Sequence, residues 1–322
     1  MRRLALAGAR AAAAALSPAG KRARLSILIF HRVRPERDAL FPGEDTAETF
    51  ARRLDLLGAT YHLLPLPEAL QRLRAGTLPS RPACITFDDG YRDNAEVALP
   101  MLLARGIHAT FFIASGFLDG GRMWNDSIIE SVRAADGDVL DVTRIGLGEW
   151  NILTSVARGA AAEGIIKAVK HLPPHARQDT VSRLCELVDQ PLPANLMMSS
   201  AQVGQLANAG MEVGAHTVTH PILRNLTEQQ AKDEIAGSRD RLETIIGAPV
   251  QAFAYPNGRP GEDYTERDRT IVESMGFAYA PSTRQGAASN QSDRYQLPRF
   301  TPWDRSPERW LGRLLVRYRS AA

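Results

Sequence analysis

The sequence predicts an α/β fold: a distorted or incomplete (β/α) barrel of the TIM type, interrupted by a helical insertion. Two observations predict it. Short apolar runs rich in β-branched and aromatic residues alternate with helical stretches six or more times, the pattern of parallel βα units covered on both sheet faces. The conspicuous polar residues then fall directly behind those runs, at the carboxyl ends of strands, where reactive groups collect in such folds.

Taken in order, residues 1–24 form an alanine- and arginine-rich segment, "MRRLALAGARAAAAALSPAG" at its start. Basic residues followed by small apolar ones resemble a secretory signal, but Arg10 interrupts the run and alanine favours helix, so an amphipathic helix accounts for it equally well. "LSILIF" (25–30) is a buried strand ending at His31. Residues 48–59 carry Phe50, Leu54 and Leu57 at helical spacing, and 67–76 form a second helix with a proline near its start and Gly76 as its stop. "ACITF" (83–87) is the next strand, and 94–106 the next helix, with Pro100 at a first turn or a kink. "ATFFIA" (109–114) is a third strand.

From about 124 to 198 the β-branched clusters thin out and helical stretches such as "NDSIIESVRAA" and "ARQDTVSRLCELV" take over, the expected insertion. The alternation resumes with "SAQVGQLANAG" as helix and "MEVGA" as strand. A long helix follows at 227–247, where Thr227 and Gln230 have capping-box spacing and Gly247 closes it. "VQAFAYP", "YTERDRTIVESMG" and "FAYA" continue as strand, helix and strand. One domain is therefore expected over 25–305, with a C-terminal helix at 306–322.

Composition narrows the function. The 44% hydrophobic content of 322 residues supplies one large core or two smaller ones. The formal charge of +3 is small and the arginines are scattered, so nucleic acid is not an expected partner. Cys84 and Cys185 form neither a CxxC zinc motif nor a disulfide framework. They lean toward a reducing, cytoplasmic setting, with secretion or a periplasmic location as the alternative. Lacking a run of 18 apolar residues, the chain is not expected to span a membrane.

Two stretches carry chemistry. "TFDDG" (86–90) places Asp88 and Asp89 side by side behind a buried strand, where like charges are costly. A turn whose acids cap the next helix is the plain explanation. "HTVTH" (216–220) spaces His216 and His220 so that both imidazoles can face one metal, or can simply flank a turn. The glutamate of a helical HExxH zinc motif is missing, with Thr217 in its place. Together, two histidines and a carboxylate make a common three-ligand catalytic zinc set with one position left for water. Adjacent aspartates are then tolerable, one binding the cation and the other acting as base beside it.

"TFDDG", "HTVTH" and "FAYPNG" (253–258) follow one another in the order of the polysaccharide deacetylase family, the NodB-like carbohydrate esterases, which the chain resembles over roughly residues 25 to 300. The resemblance implies a distorted (β/α) barrel that removes N-acetyl or O-acetyl groups from sugars with a metal-bound water. By position, Asp88 matches the catalytic base. Asp89, His216 and His220 match the ligands of a divalent metal, zinc first, with cobalt or nickel also suited. "AYPNG" lacks the arginine that orients the base in the family's usual third motif and resembles a branch with an FAYPYG-like signature. Asn257 matches the residue whose main-chain N–H supports the oxyanion, a role indifferent to the side chain.

The departure concerns the general acid. An amine leaves readily only when protonated, and the family usually supplies a histidine from a late Leu-x-His motif. Here "YQLPRF" (295–300) has Arg299 at that place, and an arginine is a poor proton donor. His31 is the expected substitute, because the first and last strands of a closed barrel are neighbours; packing near the site is the alternative. Trp124, Tyr255 and Trp303 are aromatics that either line a sugar groove or belong to the core. The expected function is deacetylation of an N-acetylated polysaccharide or glycan precursor. The alternatives are an O-acetyl esterase, a small linear amide hydrolase, and a catalytically silent glycan-binding protein.

Overall fold

The apolar runs become a parallel sheet. A computed structural model describes residues 3–300, 304 and 306–318. In chain order it contains α1 (Arg3–Leu16), β1 (Ser26–Phe30), α2 (Ala47–Thr60), β2 (His62–Leu63), α3 (Leu66–Ala75), β3 (Pro82–Phe87), α4 (Leu99–Leu103) and β4 (Ala109–Ile113). Next come α5 (Trp124–Ala134), β5 (Val139–Asp141), β6 (Glu149–Asn151), α6 (Ser155–Val169) and α7 (Pro174–Val188). The chain continues with α8 (Ser200–Asn208), β7 (Glu212–Ala215), α9 (Glu228–Ile246), α10 (Glu266–Ser274) and α11 (Pro307–Arg317).

Local chemistry sets the helix ends. Thr227 and Gln230 form the capping box expected before α9, and Gly247 closes that helix in the left-handed conformation. Ser199 with Gln202 does the same at the start of α8. Each such cap is worth about 1 kcal/mol against alanine.

β1, β3, β4 and β7 pair in that order, all parallel, and short β2 adds to the start of β3. The register sets Phe30 opposite Phe87 and Phe87 opposite Phe111. Both sheet faces are buried, but against different partners. On one, Ile85, Phe87, Phe111 and Val213 pack with Phe50 and Leu54 of α2 and Ile235 of α9. On the other, Ile27, Cys84 and Phe112 meet Ala252, Ala254, Tyr279 and Leu297 in a separate core, closed at one end by Leu66, Leu70 and Leu73 of α3. Parallel strands buried on both faces need such continuous apolar runs.

Beyond β7 the expected strands "VQAFAYP" and "FAYA" do not form regular ladders. Single parallel bridges stand in their place: Ala215 with Phe253, Ala252 with Tyr279, Pro281 with Leu297, and Leu28 with Phe300. Backbone hydrogen bonds accompany them, among them Ala215 N–H to Ala252 O at 2.8 Å and Phe300 N–H to Ile27 O at 2.8 Å.

Three elements depart from expectation. Residues 94–106 split into a π-helical turn at Asn94–Ala98 and the short α4, whose second position is Pro100. The insertion contains an antiparallel hairpin, β5 with β6, beside its helices. It also has a core of its own, in which Trp124 joins Ile128, Ile165, Val181 and Leu184. Among the described residues no helix is long and apolar enough to cross a membrane.

Candidate active site

The polar residues singled out by the sequence sit where strands end. Asp88 N–H donates to Phe30 O at 3.0 Å, pinning the turn after β3 to the end of β1. Asp89 and Gly90 then both take positive φ, 76° and 89°. A Cβ on Gly90 would lie 2.9 Å from Ile113 Cγ2, so this turn needs glycine for both conformation and space. His216 follows β7, with its N–H donating to Ile113 O at 3.1 Å. Four of the seven described non-glycine residues with positive φ belong to the three motifs: Asp89, Thr217, His220 and Asn257. A β-branched residue such as Thr217 at 65° is a real outlier. Such conformations cost about 1–3 kcal/mol each and cluster where function requires them.

Asp89, His216 and His220 offer ligand atoms that all lie within 4.8 Å of one another. Asp89 Oδ1 is 3.5 Å from His216 Nε2 and 3.3 Å from His220 Nε2. His216 Nδ1 lies 2.7 Å from Ala254 O, an atom that can only accept. That nitrogen therefore carries a proton and leaves Nε2 as the atom turned toward Asp89, the orientation found in metal-bound histidines. Burial lowers the His216 imidazole, but the hydrogen bond with Asp89 and the charges of Asp88 and Asp89 outweigh it and leave it above its ordinary value. Burial pushes His220 down to about 4, despite the opposing charge of Asp89, so its imidazole is neutral at neutral pH. Burial alone would raise the Asp89 carboxyl, but the hydrogen bond from His216 and the charge of His220 outweigh it and hold it well below the carboxylate range. Two imidazole nitrogens and one carboxylate, buried or half-buried together, fit a divalent cation, which would take the place of the proton on His216 Nε2.

Asp88 points to a different partner. Arg299, fully buried, reaches it with two parallel hydrogen bonds, Nη1 to Oδ1 and Nη2 to Oδ2, both 2.8 Å. The same guanidinium donates to Thr86 Oγ1 at 3.1 Å and to Ser282 O at 3.0 Å. Burial pushes the Asp88 carboxyl up, yet the Arg299 charge overrides this, and the group lies below its ordinary value. The arginine missing from "AYPNG" thus arrives from "YQLPRF". Arg299 is not a vacancy where a histidine was lost; it is the cation that keeps Asp88 ionised. A charged residue in an apolar, buried segment was the sequence signal for it.

His31 is exposed at the end of β1, and its backbone carbonyl accepts from Asn94 Nδ2 at 2.8 Å. It lies close enough for its charge to act on Asp88, Asp89 and His220. Asn257, at φ 58°, is held by a hydrogen bond from Thr283 Oγ1 to its carbonyl at 2.7 Å. Among the described residues nothing accepts its N–H.

A family model described as polysaccharide deacetylase matches residues 75–145 and 177–280, more than half of the chain. The chain belongs to that family. YxkH of Bacillus subtilis (strain 168), itself a candidate polysaccharide deacetylase, is 24% identical over 280 residues, which is 87% of this chain and 71% of YxkH. Among solved structures, the Streptococcus pyogenes deacetylase PplD in complex with acetate superposes with a TM-score of 0.60 at 19% identity, covering 90% of this chain and 97% of that one. IcaB from Ammonifex degensii gives 0.59 at 21% identity, covering 94% and 99%. The fold of this family member is therefore that of known deacetylase structures: α/β with a parallel sheet.

The remaining aromatics divide plainly. Tyr255 is fully buried, stacked on Tyr264 at 3.8 Å, with its hydroxyl donating to Tyr295 O at 2.9 Å. Trp124 packs in the insertion core under Arg177, 4.7 Å from its ring. Both are core residues, and Trp303 lies outside the described residues. Asp126, on the first turn of α5, left no signal in the sequence. Its Oδ1 accepts from the Tyr91 hydroxyl at 3.1 Å, and burial raises its carboxyl to about 7 against the charge of Arg32. The far end of the insertion holds the same turn, through Arg92 N–H to Leu196 O at 2.8 Å and Met198 N–H to Gly90 O at 3.0 Å.

Replacing Arg299 with methionine should cost about 3–5 kcal/mol, because Asp88 is left buried without its partner. The folded pKa of Asp88 lies below its unfolded value, so the pair's contribution is complete above about pH 4 and fades as pH falls through the folded value. Without Arg299, burial holds Asp88 above the unfolded value instead. The stability gap between wild type and Arg299→Met, read from urea unfolding, should therefore be larger near about pH 7 than near about pH 3. A gap independent of pH would mean that the ion pair is not what the substitution removes.

Proposed function

We propose that the chain is a metal-dependent hydrolase that removes acetyl groups from N-acetylated sugars of a polysaccharide or glycan precursor. The observation that carries this is the division of labour at the aspartate pair. Asp89 faces two imidazoles, while Asp88 pairs with a guanidinium. In this reading Asp89, His216 and His220 hold the cation, zinc first, with cobalt or nickel also suited to the donor set. That cation would supply an acidified water and an electrophile for the acetyl oxygen.

Asp88 is the base in this scheme, and Arg299 keeps it ionised and fixes both its oxygens. As water adds to the acetyl carbon, Asp88 takes the proton that water gives up. The Asn257 N–H stabilises the oxyanion that forms, and His31 delivers a proton to the departing sugar nitrogen. Acetate and a free amine result. The acetate in the PplD complex supports the acetyl part of this reading. The chain of parallel bridges from β7 around to β1 supports a distorted barrel as the frame, within a deacetylase domain over 25–305 that carries the insertion at about 124–198.

The metal and base assignments are separated by two variants. His220→Ala should lose bound metal and activity together. Asp88→Asn should keep its metal while acetate release from N-acetylated oligosaccharides falls by about 10²–10⁴-fold. Metal content and acetate release on the same preparations decide it: metal lost from Asp88→Asn in proportion to activity makes Asp88 a ligand.

His31→Gln should slow amide cleavage severely and spare an acetyl ester with a good leaving group, since that leaving group needs no proton. Parallel assays on both substrates give the answer. Equal losses on amide and ester would assign His31 to binding or packing instead of proton transfer.

A further inference from the structure

The five residues His216–His220 bend sharply to bring both imidazoles to one oxygen of Asp89. Within them Thr217 and His220 take positive φ, 65° and 52°. The turn is held partly from within, by His220 N–H donating to Thr217 Oγ1 at 3.1 Å. It is held on one side by the backbone after β4, where Ser115 N–H donates to Thr217 O at 3.1 Å and Gly116 N–H to Val218 O at 2.8 Å. On the other side stands a single side chain, Glu234 of α9. Its Oε2 accepts from Val218 N–H and Thr219 N–H, both at 2.8 Å, and its Oε1 accepts from Thr219 Oγ1 at 2.6 Å. α9 can come this near because Gly237 faces Val218; a Cβ there would lie 3.2 Å from Val218 Cγ2.

We propose that Glu234 is a positioning residue for the metal site: its three hydrogen bonds fix the turn between the two histidines and so set where His220 stands relative to His216 and Asp89. The inference rests on the metal reading of Asp89, His216 and His220. Each amide that Glu234 takes belongs to a residue lying between the two imidazole-bearing positions, so the turn cannot relax without moving a ligand. The Thr219 amide is exposed and water can serve it, but the half-buried Val218 amide, left without an acceptor, would draw the turn toward water or toward another partner. Outer partners of this kind are commonly worth 10–100-fold in metal affinity. The HExxH motif places a glutamate inside the histidine pair as a base; here a glutamate from another helix serves the backbone between the histidines.

Two conservative variants separate reach from charge. Glu234→Asp keeps the charge and shortens the arm; Glu234→Gln keeps an acceptor oxygen at full reach and removes the charge. Zinc is titrated into the metal-free full chain in competition with a chromophoric chelator, and the unfolding midpoint of each metal-free variant is measured alongside. Glu234→Asp should bind zinc about 10–100-fold more weakly, while Glu234→Gln stays close to wild type and the unfolding midpoints of all three agree. Full affinity in Glu234→Asp overturns the proposal, as does a loss in Glu234→Gln as large as that in Glu234→Asp, or a loss matched by a fall in the unfolding midpoint. A wild type that takes up no zinc removes the metal reading itself, and this inference with it; a wild type that binds zinc beside variants that bind it equally removes the inference alone.

Discussion

The buried ion pair between Arg299 and Asp88 is the contact on which both the frame and the site depend. Its guanidinium touches two separate stretches of chain, Asp88 and Thr86 at the end of β3 and Ser282 in the segment after α10, while the backbone of the next residue, Phe300, bridges to Leu28 of β1. It also lies over Phe112 of β4, 5.4 Å from the ring. An arginine can do this because its planar head carries five donors in a fixed fork, four of them used here on three different acceptor residues. Taking such a group fully out of water is costly unless every charge and donor is met. Its satisfaction requires the late segment and β3 to be in place together, so joining the two ends of the sheet and setting the charge of Asp88 are one structural event.

The same pair accounts for the two adjacent carboxylates. Side by side after an apolar strand, they would repel strongly in a low-dielectric setting if both looked the same way. The left-handed conformation of Asp89 sends consecutive residues to different surroundings. Asp88 turns to a permanent cation; Asp89 turns to imidazoles whose nitrogen lone pairs suit an added one. Burial raises both carboxyls, and in each the neighbours reverse that effect. The two aspartates thus remain ionised chiefly through different neighbours, Arg299 for one and the histidines for the other, which permits different tasks.

Much of this was legible in the sequence, and the parts that were not share a cause. The strands β1, β3, β4 and β7 and the long helix α9 could be read from periodicity and caps because those are local signals. "TFDDG" and "HTVTH" could be read because each packs its chemistry into five residues. Arg299 and Glu234 could not be read in the same way: each acts on a motif more than ten residues away, and Arg299 on one more than two hundred away. Periodicity says nothing about which charge meets which. The hairpin of β5 and β6, three residues a side, is too short to leave an alternating pattern. The strands expected after β7 shorten to single bridges, and Pro256 and Pro281, which have no N–H to give a ladder, stand at the ends of those runs.

The charges at the site constrain what it can stabilise. Arg299 and Asp88 cancel. Asp89 is then left as one negative charge beside two imidazoles, of which His220 is neutral. Any divalent cation held there leaves the centre with a net positive charge in a place where burial weakens screening. In the proposed reaction a neutral acetamide would gain little from such a field, but the oxyanion formed when water adds to it would gain a good deal. Charge that matters only after the reaction has begun is the kind that lowers a barrier and does not merely tighten binding. The neutralisation of Asp88 by Arg299 is what preserves that excess. A second bare carboxylate in its place would cancel it, so the ion pair determines the sign of the field as well as the charge state of Asp88.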